Sequence, residues 1–311
     1  MIKKIFLAAV LVSLAFGAAY FFFLKPKISP INPISKISAT PSLHPTAYPR
    51  QTTLIAVGDI MLGRNVNKKM HDYKDFSYPF VKVSSLLSSG DITFGNLESP
   101  FFNNCPVVGS GTFKFCGDYR AMQGILASGF DVFSIENNHA LNYGKEGREQ
   151  TIELLEKNQI LPSSTKLLQL KKNATTFGFL SFDLTINNDT KPVLKAVEES
   201  VSQVDVLVVS LHWGVEYEKE PRPWQKQLAR EIIDAGAKLV IGHHPHVTQP
   251  TEKYKNGLIF YSLGNFVFDQ MWSEETKKGK IGKVIFEDKE IKSWEETLVY
   301  ITDYSQPQLD K

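Results

Sequence analysis

Thr52-Thr53-Leu54-Ile55-Ala56-Val57-Gly58-Asp59 is an apolar run of strand length that stops on a glycine and a carboxylate. The same figure recurs down the chain. Asp91 to Phe94 runs into Gly95-Asn96-Leu97-Glu98, and Phe130 to Ile135 runs into Asn137-Asn138-His139. Val204 to Leu211 leads to His212-Trp213-Gly214, and Lys238 to Ile241 leads to Gly242-His243-His244-Pro245-His246. Short runs rich in β-branched and aromatic residues, bounded by glycine and polar residues, read as buried strands. Thr176 to Phe182 and Leu258 to Ser262 extend the series, and Lys280 to Glu287 and Thr297 to Tyr304 read as late strands. Helices are expected from Gly144 to about Lys157, near Lys195 to Val201, and from Trp224 to Ala235. Alternating strands and helices predict an α/β domain with a sheet that is at least partly parallel.

The polar motifs follow the last apolar residue of each strand, and in α/β sheets ligands bind in the crevice beyond the carboxyl ends. Asn96 and Glu98, like His244 and His246, are spaced by two, so an extended backbone turns each pair to one face. Five of the seven histidines fall in these motifs. Asp59, Glu98, His139, His212, His244 and His246 can therefore meet at one point, offering oxygen and imidazole donors that suit zinc, manganese or iron. Glycines 58, 95, 214, 242 and 264 let the backbone turn sharply beside it. Taken singly each element has a plainer reading: Asp59 as a turn or cap residue, Asn137-Asn138 as a turn, Glu98 as a solvated charge, His212 as a core histidine. Three imidazoles within four positions at a strand end have little structural purpose, and together the set points to a metal or phosphate-type site.

The chain has 311 residues, 42% hydrophobic and 22% charged, long enough to bury the core of one moderately large domain. Residues 1–50 hold six basic residues and no acidic ones, which leaves 29 basic against 33 acidic, net −4, in residues 51–311. That balance carries no nucleic-acid footprint. Ile5 to Leu24 are twenty uncharged, mostly apolar positions between Lys3-Lys4 and Lys25-Pro26-Lys27. At roughly 1.5 Å per residue the run reaches about 30 Å, the span of a bilayer core. Residues 1–25 are expected to form a transmembrane anchor or uncleaved signal, with secretion after cleavage near Ala15-Phe16-Gly17 or Gly17-Ala18-Ala19 as the alternative. Residues 26–51, with prolines at 26, 30, 33, 41, 45 and 49, read as a tether. Residues 52–311 form the expected domain, placed outside the cell on a single-pass anchor. Cys105 and Cys116, the only cysteines, are expected to clip a surface loop as a disulfide there, or to stay free thiols in a cytoplasmic domain.

Six ordered segments carry a resemblance to CapA-type capsule synthesis proteins, the poly-γ-glutamate biosynthesis group of the metallophosphoesterase-like superfamily. They are Val57-Gly58-Asp59-Ile60-Met61-Leu62-Gly63-Arg64, Gly95 to Pro100, Asn137 to Gly144, Leu211 to Tyr217, Gly242 to Val247 and Tyr261 to Phe266, covering about 53–270. The resemblance implies a four-layer α/β/β/α sandwich with these loops at one edge. It implies a metal set of Asp59, Glu98, Asn138, His212, His244 and His246, holding one or two divalent ions, manganese, zinc or iron. It implies catalytic roles for Asp59 and for His139 as partner of a leaving group or oxyanion. The chain departs from the superfamily at Met61, where a histidine is usual, and at Glu98, where aspartate is usual, which leaves a single-metal or metal-free site as alternatives. It departs from the CapA group at Asn142, commonly aspartate, and at Glu136.

Two functions follow as expectations. One is an exported, membrane-tethered, metal-dependent phosphoesterase-like hydrolase acting on an envelope polymer or its carrier, with Arg64 or Arg222 clamping an anionic group. The other is a non-catalytic subunit of a capsule synthesis complex whose pocket binds or exports an anionic polymer. Asn96, His243, Trp213 and Asn265 flank the ligands in the motifs and are expected to line the pocket. Trp213, Tyr217, Trp224, Tyr261 and Phe266 are read as core and pocket-wall packing, with a platform for sugar or peptide as the alternative.

Overall fold

The computed structural model describes residues 51–310. The anchor expected at 1–25 lies outside them, as does the tether expected at 26–51 apart from Gln51, which opens the first strand. No helix among the described residues is long and apolar enough to cross a membrane.

The first sheet begins with four parallel strands, β1 (Gln51–Ile60), β2 (Ile92–Leu97), β3 (Val132–Ser134) and β4 (Leu161–Ser163). Between them run α1 (Arg64–Tyr73), α2 (Ser84–Leu87), α3 (Met122–Ala127) and α4 (Gly144–Lys157). A second sheet opens with the hairpin of β5 (Leu168–Lys172) and β6 (Thr175–Asp183). It continues through α5 (Lys191–Ser200), β7 (Val206–His212), α6 (Pro223–Asp234), β8 (Leu239–His243), β9 (Thr251–Tyr254) and β10 (Gly257–Phe260), in the spatial order β5-β6-β7-β8-β10-β9. The chain then returns to the first sheet. β11 (Asn265–Val267) pairs in parallel with the end of β1, and β12 (Lys278–Glu287), β13 (Glu290–Thr302) and β14 (Gln306–Leu309) extend the other edge antiparallel.

Side chains alternate across each strand, and the hydrophobic clusters show which face meets what. Leu54 and Ala56 of β1 pack with Ile92 and Phe94 of β2 and with Phe177, Val206, Val208, Leu239 and Ile241 of the second sheet, so the two sheets share one core. Ile55 and Val57 turn the other way, onto Val66 and Met70 of α1, Leu87 of α2 and Leu155 of α4. Leu207, Val209 and Leu211 of β7 turn onto Val193 and Val197 of α5 and Leu228 and Ile232 of α6. A parallel strand covered on both faces is apolar at nearly every position, which is why these runs stand out in the sequence.

Elements covered on one face only were harder to read. α1, Arg-Asn-Val-Asn-Lys-Lys-Met-His-Asp-Tyr, buries Val66, Asn67 and Met70 and leaves a charged outer face. β13 starts at Glu290 rather than near Thr297 because its first half is largely exposed and polar. α5 starts four residues before the expected Lys195, with Pro192 in its first turn, where a missing N–H costs nothing.

Close approach of chain to chain requires glycine at Gly279, against the Asn265 carbonyl, and at two strand ends beside the polar motifs. A Cβ on Gly58 would stand 1.9 Å from the carbonyl oxygen of Gly264, and one on Gly242 would stand 1.9 Å from that of Tyr261. Both follow the apolar part of their strands, where the loop carrying Tyr261 to Asn265 presses between the sheet ends. In the shared core Phe179 of β6 stacks on Phe94 of β2, ring centroids 5.9 Å apart. Phe179→Ala is expected to lower stability by about 3–5 kcal/mol, measured by urea unfolding, through lost burial and the cavity left behind.

Candidate metal centre

The register of the strands gathers the polar motifs. Asp59 lies opposite Asn96 of β2 on one side and Asn265 of β11 on the other, and His212 of β7 lies opposite His243 of β8. Glu98 follows β2, Asn137 to His139 follow β3, and His244 and His246 follow β8. All are carboxyl-end positions. Because both sheets end there, donors from the first sheet face donors from the second.

Asp59 is the hub. Its Oδ1 accepts from Asn96 Nδ2 at 2.9 Å and lies 3.3 Å from His243 Nδ1. Its Oδ2 accepts from the His244 backbone N–H at 3.2 Å and lies 3.3 Å from His246 Nδ1. Glu98 Oε1 lies 3.6 Å from His246 Nε2 and 3.8 Å from His139 Nε2. His212 places Nδ1 3.3 Å from Asn96 Nδ2 and Nε2 3.0 Å from Asn138 Oδ1. His246 Nδ1 also meets Asn265 Oδ1 at 3.0 Å, and Asn265 is itself held by Gln270 and the Thr276 carbonyl. Asp59, Glu98 and His212 thus offer donor atoms within 4.8 Å of one another, and so do Glu216, His244 and His246.

Burial makes this assembly costly without a cation. Asp59 and Glu98 are completely buried. Among the described residues neither oxygen of Glu98 has a hydrogen-bond donor, and His244 Nδ1 is buried without a partner. A buried carboxylate without donors costs several kcal/mol. Accordingly burial, aided by the Asp59 charge, pushes the Glu98 carboxyl well above its usual range. Burial acts the same way on Asp59, but the His243 and His246 rings beside it outweigh burial and hold the carboxyl well below its usual range. Burial also opposes charge on His246, yet the Glu98 and Asp59 carboxylates raise it to about 9. Burial lowers His212 well below the usual imidazole range, and it lowers His139 and His244 to about 4. Neutral imidazoles and unpaired carboxylate oxygens are the donor set of a divalent transition metal, and the residues fit one.

His139 is positioned by neighbours distant in sequence. Its Nδ1 meets Asn142 Oδ1 at 3.1 Å, and Phe115 lies against the ring, centroids 4.0 Å apart. The same Asn142 oxygen accepts from the Phe115 backbone N–H at 2.6 Å. Phe115 sits in a loop closed by the disulfide between Cys105 and Cys116, whose Cα atoms are 5.8 Å apart.

Some expected residues do other work. Trp213 does not line the pocket: its ring is fully buried among Leu228, Tyr261 and the other side chains under α6, and its indole N–H donates to the Tyr261 carbonyl at 3.0 Å. Arg64 lies over the Phe115 ring at 4.5 Å and is paired with Asp269. Arg222 is spent on Glu218, with Nε 2.9 Å from its carboxylate. Met61 is buried in the helix-side core and is no donor to the site. Glu216, which stands in the Leu211 to Tyr217 motif, joins His244 and His246 in one donor group, a grouping the sequence does not signal. One glutamate in the alternating set Glu216, Glu218 and Glu220 carries little signal of its own. Phe115 had none.

A sequence model of the family described as bacterial capsule synthesis protein PGA_cap matches residues 53–270. The chain belongs to that family. It is 33% identical over 251 residues to the capsule biosynthesis protein CapA of Bacillus anthracis, covering 71% of this chain and 61% of that one. It is likewise 33% identical over 241 residues to the PGA biosynthesis protein CapA of Bacillus subtilis (strain 168), covering 70% and 63%. The chain therefore spans less than two thirds of the length of these curated relatives. In fold it is similar to a solved phosphatase from Mycoplasma pneumoniae, with a TM-score of 0.50 at 11% identity over 84% of this chain and 96% of that one.

Buried His244 gives the domain a pH dependence of stability in chelator. An imidazole held at about 4 in the fold against an ordinary 6.5 stays neutral while the unfolded chain takes up a proton. The stability carried by neutral His244 is thus present above pH 6.5 and is lost as pH falls towards 4. In chelator, urea unfolding of the wild type is expected to lose stability over that window more steeply than His244→Asn, by about 1.4 kcal/mol per pH unit. Equal slopes would remove His244 as the cause.

Proposed function

We propose that the protein is a divalent-metal-dependent hydrolase of the phosphoester class, held at the outer face of the cell membrane, and that it acts on a capsule-type envelope polymer or the precursor carrying it. We read its two facing sheets with helices outside as the four-layer α/β/β/α sandwich of the metallophosphoesterase-like superfamily. The observation that carries the proposal is Glu98, a fully buried carboxylate with no hydrogen-bond donor on either oxygen among the described residues, set beside Asp59 and the imidazoles of His139 and His246. Asp59, Glu98, Asn138, His212, His244 and His246 would hold one or two such ions. When bound there, a divalent ion supplies Lewis acidity towards a phosphoryl oxygen and its attacking water. The chain's own residues supply the rest. His139, fixed by Asn142 and Phe115, leaves Nε2 facing the Glu98 side of the cluster as the group that meets the leaving oxygen. Asn96 and Asn265 orient Asp59 and His246.

The names of the Bacillus relatives support a capsule or polyglutamate setting for the substrate. The alternative, a non-catalytic subunit that grips a polyanion, would use free cations. The two arginines that could clamp an anion are already paired with Asp269 and Glu218.

The test is turnover of bis-p-nitrophenyl phosphate by the purified full-length chain. Activity is expected with manganese or zinc, absent in chelator, and reduced at least about a hundredfold in Glu98→Gln, whose circular dichroism matches wild type. No turnover with manganese, zinc or iron would overturn the hydrolase and leave the polymer-binding subunit.

A further inference from the structure

We propose that Glu216 is the ligand that, with His244 and His246, completes a second divalent-ion position beside the one lined by Asp59, Glu98 and His212. This rests on the metal-dependent reading of the site and adds to it a residue from outside the buried cluster. The two triads share no residue, and the donors of each lie within 4.8 Å of one another. Two oxygen or nitrogen donors about 2.1 Å from one ion stand roughly 3 to 4 Å apart, so closure onto an ion needs a movement of an ångström or so.

The loop that brings Glu216 is fastened to the histidine segment on both sides of it. The Trp213 N–H donates to the His243 carbonyl at 3.1 Å, and the Tyr217 N–H donates to the Pro245 carbonyl at 2.8 Å. Those two bonds hold Glu216 beside His244 and His246. The backbone pays for the arrangement: His244 has φ +95°, His246 +58° and Tyr217 +68°, a region that non-glycine residues rarely enter. Such strain gathers where a fold holds side chains for use. His244 Nδ1 is buried and has no hydrogen-bond partner, so a donor is left waiting on this side of the pocket. Met61, packed in the helix-side core, offers nothing there.

Charge points the same way. Asp59 and Glu98 together offset the charge of one divalent ion. A second ion in the same low-dielectric space calls for a further anion, and Glu216 is the carboxylate within reach. Because Glu216 is exposed, its ion sits at the pocket mouth, the position open to an incoming anionic group.

The test counts metal rather than turnover. The full-length chain, loaded with Mn²⁺ and desalted, is assayed by elemental analysis and titrated by calorimetry. Two equivalents are expected in wild type, and in Glu216→Gln one is retained while the other weakens by roughly tenfold or more. Glu216→Asp, which keeps the charge, is expected to lie between. Two equivalents of unchanged affinity in Glu216→Gln would overturn the inference while leaving the metal centre intact. A single equivalent in wild type would overturn it as well. No metal in folded wild type would overturn the hydrolase reading itself.

Discussion

Asp59 pins the two sheets together at their carboxyl ends. It belongs to β1, but its carboxylate is met by Asn96 from its own sheet and by His243, His246 and the His244 N–H from the other. A buried charge satisfied across a sheet-to-sheet boundary fixes how the sheets sit on each other, because a shift would leave the carboxylate unpaired in a dry core. The apolar layer of Leu54, Phe94, Phe179 and Val208 supplies the adhesion, and tolerates small slips. Asp59 supplies the register.

That register has to be built from backbone as well as side chains. Gly58 precedes Asp59 and Gly242 precedes His243, and each lies against the carbonyl of the returning segment, at Gly264 and Tyr261. Any side chain at either position would push that segment away and carry Asn265 off His246. The glycines therefore belong to the site although they touch no ligand. Beyond them the strain at His244 and His246 bends the chain so that consecutive imidazoles face the cluster rather than alternating away from it.

How much of this the sequence discloses follows from burial. β1, β7 and β8 are covered on both faces, so their runs are continuous and the polar residues at their ends stand out one by one. Asp59, Asn96, Glu98, Asn138, His139, His212, His243, His244, His246 and Asn265 do meet. Trp213 could not be placed, because an aromatic one residue past a strand end serves pocket or core equally well, and which face it takes depends on α6 packing behind it. Arg64 carries no linear sign of its partner, since Asp269 lies 205 positions away, whereas Glu218 stands four residues before Arg222, a spacing at which the two pair. Phe115 was invisible because its role depends on a loop closure that sets it against a ring 24 positions later.

That loop carries rigidity to His139, the proposed catalytic group at the edge of the cluster. Glu98 Oε1, 3.8 Å from Nε2, is beyond hydrogen-bond reach of His139; the ring is gripped by Asn142 and Phe115. Phe115 in turn is held by its own backbone bond to Asn142 and by being next to Cys116, bonded to Cys105 across the loop. A crosslink closing a loop of this length removes chain entropy worth about 3 kcal/mol from the unfolded state, which helps keep the loop closed. A surface loop rich in glycine and asparagine would otherwise be the softest part of the pocket wall, and a phenyl ring carried on it a poor brace. With the crosslink it braces His139 from one side and carries Arg64 over its own ring on the other. The same clip thus steadies Phe115, one of the two groups that grip His139, while Asn142 is the other.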